Sequence, residues 1–130
     1  MAFSKKRLYN KEAQLTSAYA SAIDHPARQQ ILIRLCIHGP CSVMELIKDH
    51  PISNTTMSEH LEKLRIMGLI SCKERFPHTI YFAEKEGIVK AEKFIIAFFR
   101  KLNLPNNDDS LKQIIQQARS SLSINLFSNK

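Results

Sequence analysis

The stretch ISNTTMSEHLEKLRIMGLI, residues 52–70, decides the fold, because it changes character halfway along its length. Its first half consists almost entirely of small polar side chains. Further along, Met57, Leu61 and Leu64 follow the i, i+4, i+7 spacing of one helical face. We therefore predict a helix over residues 53–68 whose apolar side is anchored in a core and whose other side is free.

The free side of this helix carries short polar groups at its start. Ser53 is in place as the N-cap, and Asn54, Thr55, Thr56 and Ser58 follow it. Short hydroxyl and amide groups approach base edges and phosphates closely, and the free N–H groups of a helix start favour a phosphate. A merely solvated helix more typically shows Lys and Glu pairs, which occur here only in the second half. The pattern favours a helix that contacts another molecule with its N-terminal turns.

Apolar periodicity and turn residues predict the other elements on both sides of this stretch. The second predicted helix has a core face made of Ile31, Leu32, Leu35 and Cys36. The full set is a helix over 5–22, a helix from the N-cap Asp24 to about 36, a short helix from the N-cap Ser42 to about 50, the helix over 53–68, an antiparallel hairpin with its connection at Pro77 and His78, a strongly apolar helix over 85–103, a break over 104–109 and a last helix over 111–122.

This order of elements is the plan of a winged helix-turn-helix. In that plan, the second helix of a pair lies in the DNA major groove and a β-hairpin lies beside it, against the backbone. We predict a mainly α fold with a small β-hairpin wing. The 130 residues fit one domain, with a core over about 20–85 and dimerisation helices over about 5–22 and 85–122.

Composition narrows the class of protein. Hydrophobic residues make up 44% of the chain and charged residues 24%, which is typical of an ordinary globular protein. No apolar run approaches the roughly 18 residues of a membrane span, and three cysteines do not form a disulfide framework. We therefore expect a cytoplasmic protein without a membrane partner. The net charge of +7 favours polyanions, of which nucleic acid is the commonest in that compartment.

A long segment from Ile23 to Glu84 resembles the DNA-binding core of the arsR family of bacterial winged-helix regulators. The matching elements are HPARQQIL at the start of the second helix, MELIK in the third, the stretch 52–70 as recognition helix, and YF at the end of the wing. The resemblance covers about residues 20–85. It implies a homodimer that regulates, and most often represses, a promoter with a two-fold operator whose half-sites lie ~34 Å or a multiple of it apart.

The resemblance also implies a set of residues that face the DNA. To this set we add the basic residues on the outward side of the same helix and on the wing. Glu59 departs from the family pattern, and it either accepts from a cytosine amino group or limits affinity. The family's Gly-Arg wing tip is replaced here by Pro77 and His78. His60 has two possible roles: it either contacts DNA or braces the helix. The wing cations Lys73 and Arg75 either contact the DNA backbone or are merely exposed. The full candidate set is Ser53, Asn54, Thr55, Thr56, Ser58, Glu59, His60, Lys63, Lys73 and Arg75.

The apolar helix over 85–103 is too hydrophobic for the outer helix of a monomer, and it predicts a homodimer. In the resembled family the first helix is the second dimer element. The alternative is an intramolecular core with the last helix, through Leu111, Ile114, Ile115 and Ala118. The candidate interface residues are Leu8, Leu15, Tyr19, Ile88, Ala91, Ile95, Phe98 and Leu102.

The metal sites of the resembled family are missing from this sequence. A Cys-x-Cys pair would occupy the positions of Ser42 and Met44, and the dimer helix over 85–103 contains no histidine. A C-x-H-x-x-C cluster of Cys36, His38 and Cys41 remains, and its soft ligands suit zinc. We favour the plainer alternative, in which Cys36 is a core residue, His38 is solvated and Cys41 is a small loop residue, so no metal or other cofactor is expected.

Two other functional readings stay open at this point. A thiol switch would use the same cysteines together with Cys72. A winged helix that binds protein instead of DNA is the other alternative. An enzyme is not expected, because the sequence has no Gly-rich phosphate loop and no nucleophile with a marked base.

Overall fold

The computed structural model describes residues 5–102 and 108–122, and this part of the chain is mainly α-helical with a small antiparallel sheet. The predicted fold class, with its helix pair and its hairpin wing, is confirmed. The elements are a 3-10 helix (Lys5–Leu8), α1 (Lys11–Ala22), α2 (Pro26–His38), β1 (Cys41–Ser42), α3 (Val43–Asp49), α4 (Asn54–Ile66), β2 (Ile70–Arg75), β3 (His78–Ala83), α5 (Lys85–Lys101) and α6 (Asp108–Leu122).

The core is built around the predicted recognition helix, α4. Met57, Leu61 and Leu64 are completely or almost completely buried, as their spacing predicts. The side chains that surround them come from every neighbouring element of the winged-helix core. They include Ile31 and Leu35 of α2, Leu46 of α3, and Leu69 and Ile70 at the start of the wing.

The sheet has three strands in the order β1-β3-β2, and both pairings are antiparallel. β2 and β3 form the predicted hairpin, with Arg75 opposite His78 and only Phe76 and Pro77 between them. The third strand, β1, is missing from the sequence prediction. Two residues are too short for an alternating pattern, so only the pairing of Cys41 with Tyr81 reveals it.

The predicted first helix over 5–22 is in fact two elements. A 3-10 turn comes first, and α1 begins only at Lys11. Asn10 is the cause of the break, because its side-chain oxygen accepts a hydrogen bond from the backbone N–H of Ala13 at 2.8 Å. This N-cap starts a new helix and leaves Leu8 outside it.

The caps of α2 and α3 differ in how well the sequence predicts them. Ser42 caps α3 as expected, and Glu45 completes a capping box. The cap of α2 is His25 rather than the predicted Asp24, since the Nδ1 atom of His25 accepts from the N–H of Ala27 at 3.0 Å. The predicted Asp24 cap is therefore wrong by one residue.

Helix α5 packs along α1 and against the end of α4. The rings of Tyr19 and Phe94 lie 5.7 Å apart, and Lys101 Nζ lies 2.7 Å from Glu12 Oε1. At the other end of α5, Gly87 meets the backbone of Gly68, which ends α4 with a φ of +74°. A Cβ atom at Gly87 would lie 1.8 Å from the carbonyl oxygen of Gly68.

The ends of the last two helices also differ from the sequence prediction. α5 ends at Lys101 rather than 103, and α6 begins at Asp108 rather than 111. Most of the predicted break over 104–109 lies outside the described residues, as do the side chains of Asp108 and Leu111.

Candidate nucleic-acid interface

The first turns of α4 present a small polar surface to solvent. The hydroxyl of Ser53 accepts from the N–H of Thr56 at 3.2 Å and donates to the Thr56 hydroxyl at 3.0 Å, so these two residues form the helix cap. Asn54, Thr55 and Ser58 are exposed. The cap thus fixes the helix start, and three short polar side chains remain available beside its free N–H groups.

The middle and end of α4 carry charges of both signs. Glu59 and Lys63 are exposed. Arg65 makes a two-pronged ion pair with Glu62, with N···O distances of 2.8 and 2.7 Å, and this contact lowers the pKa of Glu62. The Glu62 and Arg65 charges therefore largely cancel, while Lys63 adds a positive charge and Glu59 a negative one to the outward surface.

The wing presents its candidate cations on one face. Lys73 and Arg75 are exposed, and they alternate along β2 with Cys72 and Glu74, so they share the opposite face of the ribbon. His78, which pairs with Arg75 across the hairpin, lies on the same face as these cations.

His60 does not belong to the exposed polar surface. It is 8% exposed, and its Nδ1 atom lies 2.9 Å from Nη1 of Arg28. Its ring is 4.3 Å from the ring of His25, centroid to centroid. This geometry supports the bracing alternative, because the side chain connects α4 to the start of α2 instead of facing outward.

Arg28 is the centre of this contact and was missed by sequence reasoning. The residue is 4% exposed, and its Nε and Nη2 atoms donate to the carbonyls of Ala22 at 2.8 Å and Ser21 at 3.2 Å. It also pairs with Asp24. An arginine in the first turn of a helix normally looks like a solvated residue. Its burial is explained by the carbonyls at the end of α1, together with His60 and Asp24.

The environment of His60 predicts a loss of stability in mild acid. Burial, the His25 ring and the Arg28 guanidinium hold the pKa of His60 below its usual value of 6.5, while the nearby Glu59 partly offsets them. The unfolded chain therefore binds a proton at a higher pH than the folded chain. Stability should fall as the pH drops through about 6.5 toward the folded pKa.

Thermal melts at pH 7.5 and 5.5 measure this effect. His60→Asn keeps an acceptor near the position of Nδ1 but does not titrate, so its melting temperature should depend less on pH than that of the wild type. His38→Asn removes an exposed histidine as the matched control. An equal pH dependence in the wild type and His60→Asn would contradict the assignment.

The predicted dimer residues divide into buried and exposed groups. Tyr19 and Ala91 are 4% and 9% exposed, so they belong to the core of the chain itself. The sequence prediction places both of them on a dimer surface. Leu15, Ile88 and Ile95 are half-buried against the same core. Their burial follows from the packing of α1 on α5, which uses the inner stripe of each helix.

The exposed group includes Leu8, Phe98 and Leu102, which are 82%, 46% and 48% exposed. Phe98 also lines an apolar groove of about 380 Å³ between α1 and α5. The α1 wall of this groove is made of small residues such as Ala13 and Ser17.

Helix α6 does not complete an intramolecular core through its described side chains. Those of residues 112–121 are all exposed, including Ile114, Ile115 and Ala118. The alternative in which these residues cover the apolar surface of α5 therefore fails, and Leu111 lies outside the described side chains.

The cysteines do not form a metal site in the described part of the chain. Within residues 5–102 and 108–122, no group of three or more His, Cys, Asp and Glu side chains is arranged to hold a metal ion. Cys36 is exposed, which makes its predicted core position wrong, and His38 is exposed as predicted. Cys41 is buried in β1 rather than in a loop, and burial raises the pKa of its thiol.

None of the helices in the described part of the chain is both long and apolar enough to cross a bilayer.

Comparison with known proteins agrees with this geometry. Residues 25–71 match the family model described as "Bacterial regulatory protein, arsR family". A search of curated proteins finds no match.

Several solved structures share the fold. Reduced HlyU from Vibrio cholerae is 25% identical over 67% of this chain and 90% of its own, with a TM-score of 0.55. NolR from Sinorhizobium fredii is 24% identical over 78% and 95%, with a TM-score of 0.56. Rv0081 from M. tuberculosis is 22% identical over 85% and 98%, with a TM-score of 0.60. Together with the helix pair, α4 and the wing, these matches show that the chain has the winged helix-turn-helix fold of these structures, and that residues 25–71 are similar to the arsR family.

Proposed function

We propose that this chain is a transcriptional regulator that binds a specific double-stranded DNA sequence. It acts as a homodimer on a two-fold operator in the cytoplasm, and it represses the promoter it binds. The observation that carries the proposal is the division of α4 into two faces. Its apolar face is anchored by Met57, Leu61 and Leu64, and its exposed start presents Asn54, Thr55 and Ser58.

The chemistry of the helix start suits DNA. The first turn, from Asn54 to Met57, carries no charge, so the partial positive charge of the helix N-terminus is not cancelled there. A phosphate can accept from the free N–H groups while the side chains of Thr55 and Ser58 reach base edges. Ser53 and Thr56 act mainly through the cap, since their hydroxyls bond to each other.

Glu59 and His60 have different roles in this proposal. Glu59 is exposed one turn into the helix, where a carboxylate repels phosphates but accepts well from the amino group of cytosine. We assign it to base discrimination. His60 is a positioning residue that acts through Arg28 and does not touch the DNA.

The cations on the outward side of α4 and on the wing supply affinity without sequence information. Lys63, Lys73 and Arg75 are exposed, and phosphate contacts by such residues fix the position of a protein on the duplex. Each contact releases bound counterions, so affinity should fall steeply with salt.

The dimer of the proposal uses the apolar surface left over by the α1–α5 packing. Phe98, Phe99 and Leu102 are 46%, 62% and 48% exposed along the outer side of α5. A second copy of the chain would cover them, and a two-fold operator requires two recognition helices in one particle. We therefore narrow the dimer interface predicted from the sequence to the exposed residues Leu8, Phe98, Phe99 and Leu102. The half-buried residues Leu15, Ile88 and Ile95 lie at the edge of this interface.

Selection of bound sequences from a random duplex pool, followed by salt titration, tests the proposal. We expect a palindromic site that binds two chains per duplex, with log Kd rising linearly with log salt concentration. Thr55→Ala and Ser58→Ala should weaken the selected duplex more than a random one. Lys73→Ala should weaken both alike and reduce the salt slope by about 1.

Lys112→Ala is the matched control, because it removes the same charge from the exposed surface of α6. It should leave both affinities unchanged. Absence of duplex binding at low salt, or binding that does not respond to salt, would overturn the proposal in favour of a winged helix that binds protein. Equal effects of Thr55→Ala, Ser58→Ala and Lys73→Ala on both duplexes would overturn the role of α4.

A further inference from the structure

The tip of the wing carries an aromatic side chain that the core does not use. Phe76 is 100% exposed, more than any other of the large hydrophobic side chains exposed in the described residues. A phenylalanine offers a flat apolar face of the kind that stacks on bases or packs into apolar pockets. The DNA-binding function proposed above does not account for it.

The hairpin holds the backbone that carries this side chain in a defined place. Arg75 and His78 are paired at the end of the ribbon, so Phe76 and Pro77 alone make the connection between the strands. A two-residue connection closed by a strand pair has little freedom, and the proline ring fixes its own φ angle. Little backbone conformational entropy is therefore lost when Phe76 inserts into a partner.

The charges around Phe76 indicate which kind of partner this is. Lys73 and Arg75 share one face of the ribbon near the tip, and His78 lies opposite Arg75 on that face. An apolar protein groove would gain little from this cationic surround, whereas a nucleic-acid backbone on either side of the ring would pair with it.

We propose that Phe76 is a wedge that enters the minor groove beside the recognition site and inserts between two base pairs. The inference rests on the proposed DNA-binding function. With α4 in the major groove and the hairpin against the adjacent backbone, we place the exposed ring at its tip in the flanking minor groove, where apolar side chains of other proteins unstack base steps and kink the duplex. Flexible steps such as TA or CA/TG should be preferred at that position, because they are the easiest to open.

A fluorescent base analogue detects the wedge directly. 2-Aminopurine is placed at each step that flanks the half-sites of the selected duplex, and its fluorescence is read at saturating protein. Wild-type protein should raise the fluorescence at one step per half-site, since unstacking relieves quenching. Phe76→Ala should abolish this signal and weaken binding by about tenfold, as expected for the loss of one stacking contact.

Three control variants separate the wedge from other causes. Phe76→Leu keeps an apolar wedge and should retain part of the signal. Lys73→Ala should weaken binding but leave the signal of the saturated complex unchanged. Ile37→Ala removes another exposed apolar side chain, 69% exposed on α2, and should change neither measurement.

The outcomes of these experiments separate a failure of the wedge from a failure of the proposed DNA-binding function. If wild-type protein binds the selected duplex, but no step brightens and Phe76→Ala binds equally well, the wedge is wrong and the DNA-binding proposal stands. If the wild type binds no duplex, both fall. Because Phe76 is fully exposed, Phe76→Ala should melt at the wild-type temperature, so a loss of signal cannot be attributed to unfolding.

Discussion

Gly87→Ala should unfold at a markedly lower temperature than the wild type, with a net loss of about 2 kcal/mol or more in the free energy of unfolding. The methyl group would lie 1.8 Å from the carbonyl oxygen and 2.6 Å from the carbonyl carbon of Gly68. Both partners are backbone, so no flexible side chain can turn away. Either α5 or the end of α4 must shift, and that shift opens the core between them.

The expected sign is the opposite of what helix propensity alone predicts. Alanine stabilises a helix relative to glycine by up to about 1 kcal/mol, and Gly87 lies in the first turn of α5. The contact with Gly68 outweighs this gain, because inserting a methyl group against a rigid neighbour costs up to ~3 kcal/mol and occasionally more. Chemical denaturation measures the difference. Lys85→Ala, an exposed change in the same helical turn, should stay within about 0.5 kcal/mol of the wild type. A more stable Gly87→Ala variant would show that α5 does not approach α4 this closely.

Leu61→Ala should cost about 2–5 kcal/mol of stability. Leu61 is 1% exposed and is the central anchor of α4 in the buried cluster. Truncation removes apolar contacts and leaves a cavity that the surrounding α2 and α3 side chains fill only in part. Because α4 is fixed to the core through this side chain, the specific DNA binding that we propose should weaken as well.

The control for Leu61→Ala lies on the same helix. Ile66→Ala removes a similar volume from a side chain that is 67% exposed, so it should change the free energy of unfolding by less than about 1 kcal/mol. Denaturant unfolding of both variants decides the matter. Equal stability of Leu61→Ala and the wild type would contradict the burial of this face of α4.

The sequence predicts most of the fold because most of the elements are periodic. The spacing of Met57, Leu61 and Leu64 identifies α4 and its buried face without any tertiary information. The hairpin follows in the same way from its β-branched and aromatic residues and from the turn at Pro77. A local pattern of this kind shows which side of a helix is buried and which side is exposed. The exposed side of α4 is also the candidate site, so the same pattern predicts the site.

The features that the sequence does not predict depend on contacts between distant segments. The role of Arg28 requires the carbonyls at the end of α1, and the constraint on Gly87 requires the backbone of Gly68. The strand β1 exists only because Cys41 pairs with Tyr81. Tyr19 was assigned to a dimer surface because its helical stripe is apolar, and a stripe alone does not reveal whether α5 or a second chain covers it.

The burial of Arg28 has a consequence for protein engineering. Its guanidinium donates to the last carbonyls of α1 and to His60 of α4, so α4 is held in part by groups far from it in the sequence. A lysine cannot replace it, because a single ammonium group cannot reach all of these acceptors at once. Grafting residues 52–70 alone onto another winged-helix scaffold would therefore transfer the exposed polar surface of α4 without the contacts that support it. A functional transplant must also carry Arg28 and the end of α1.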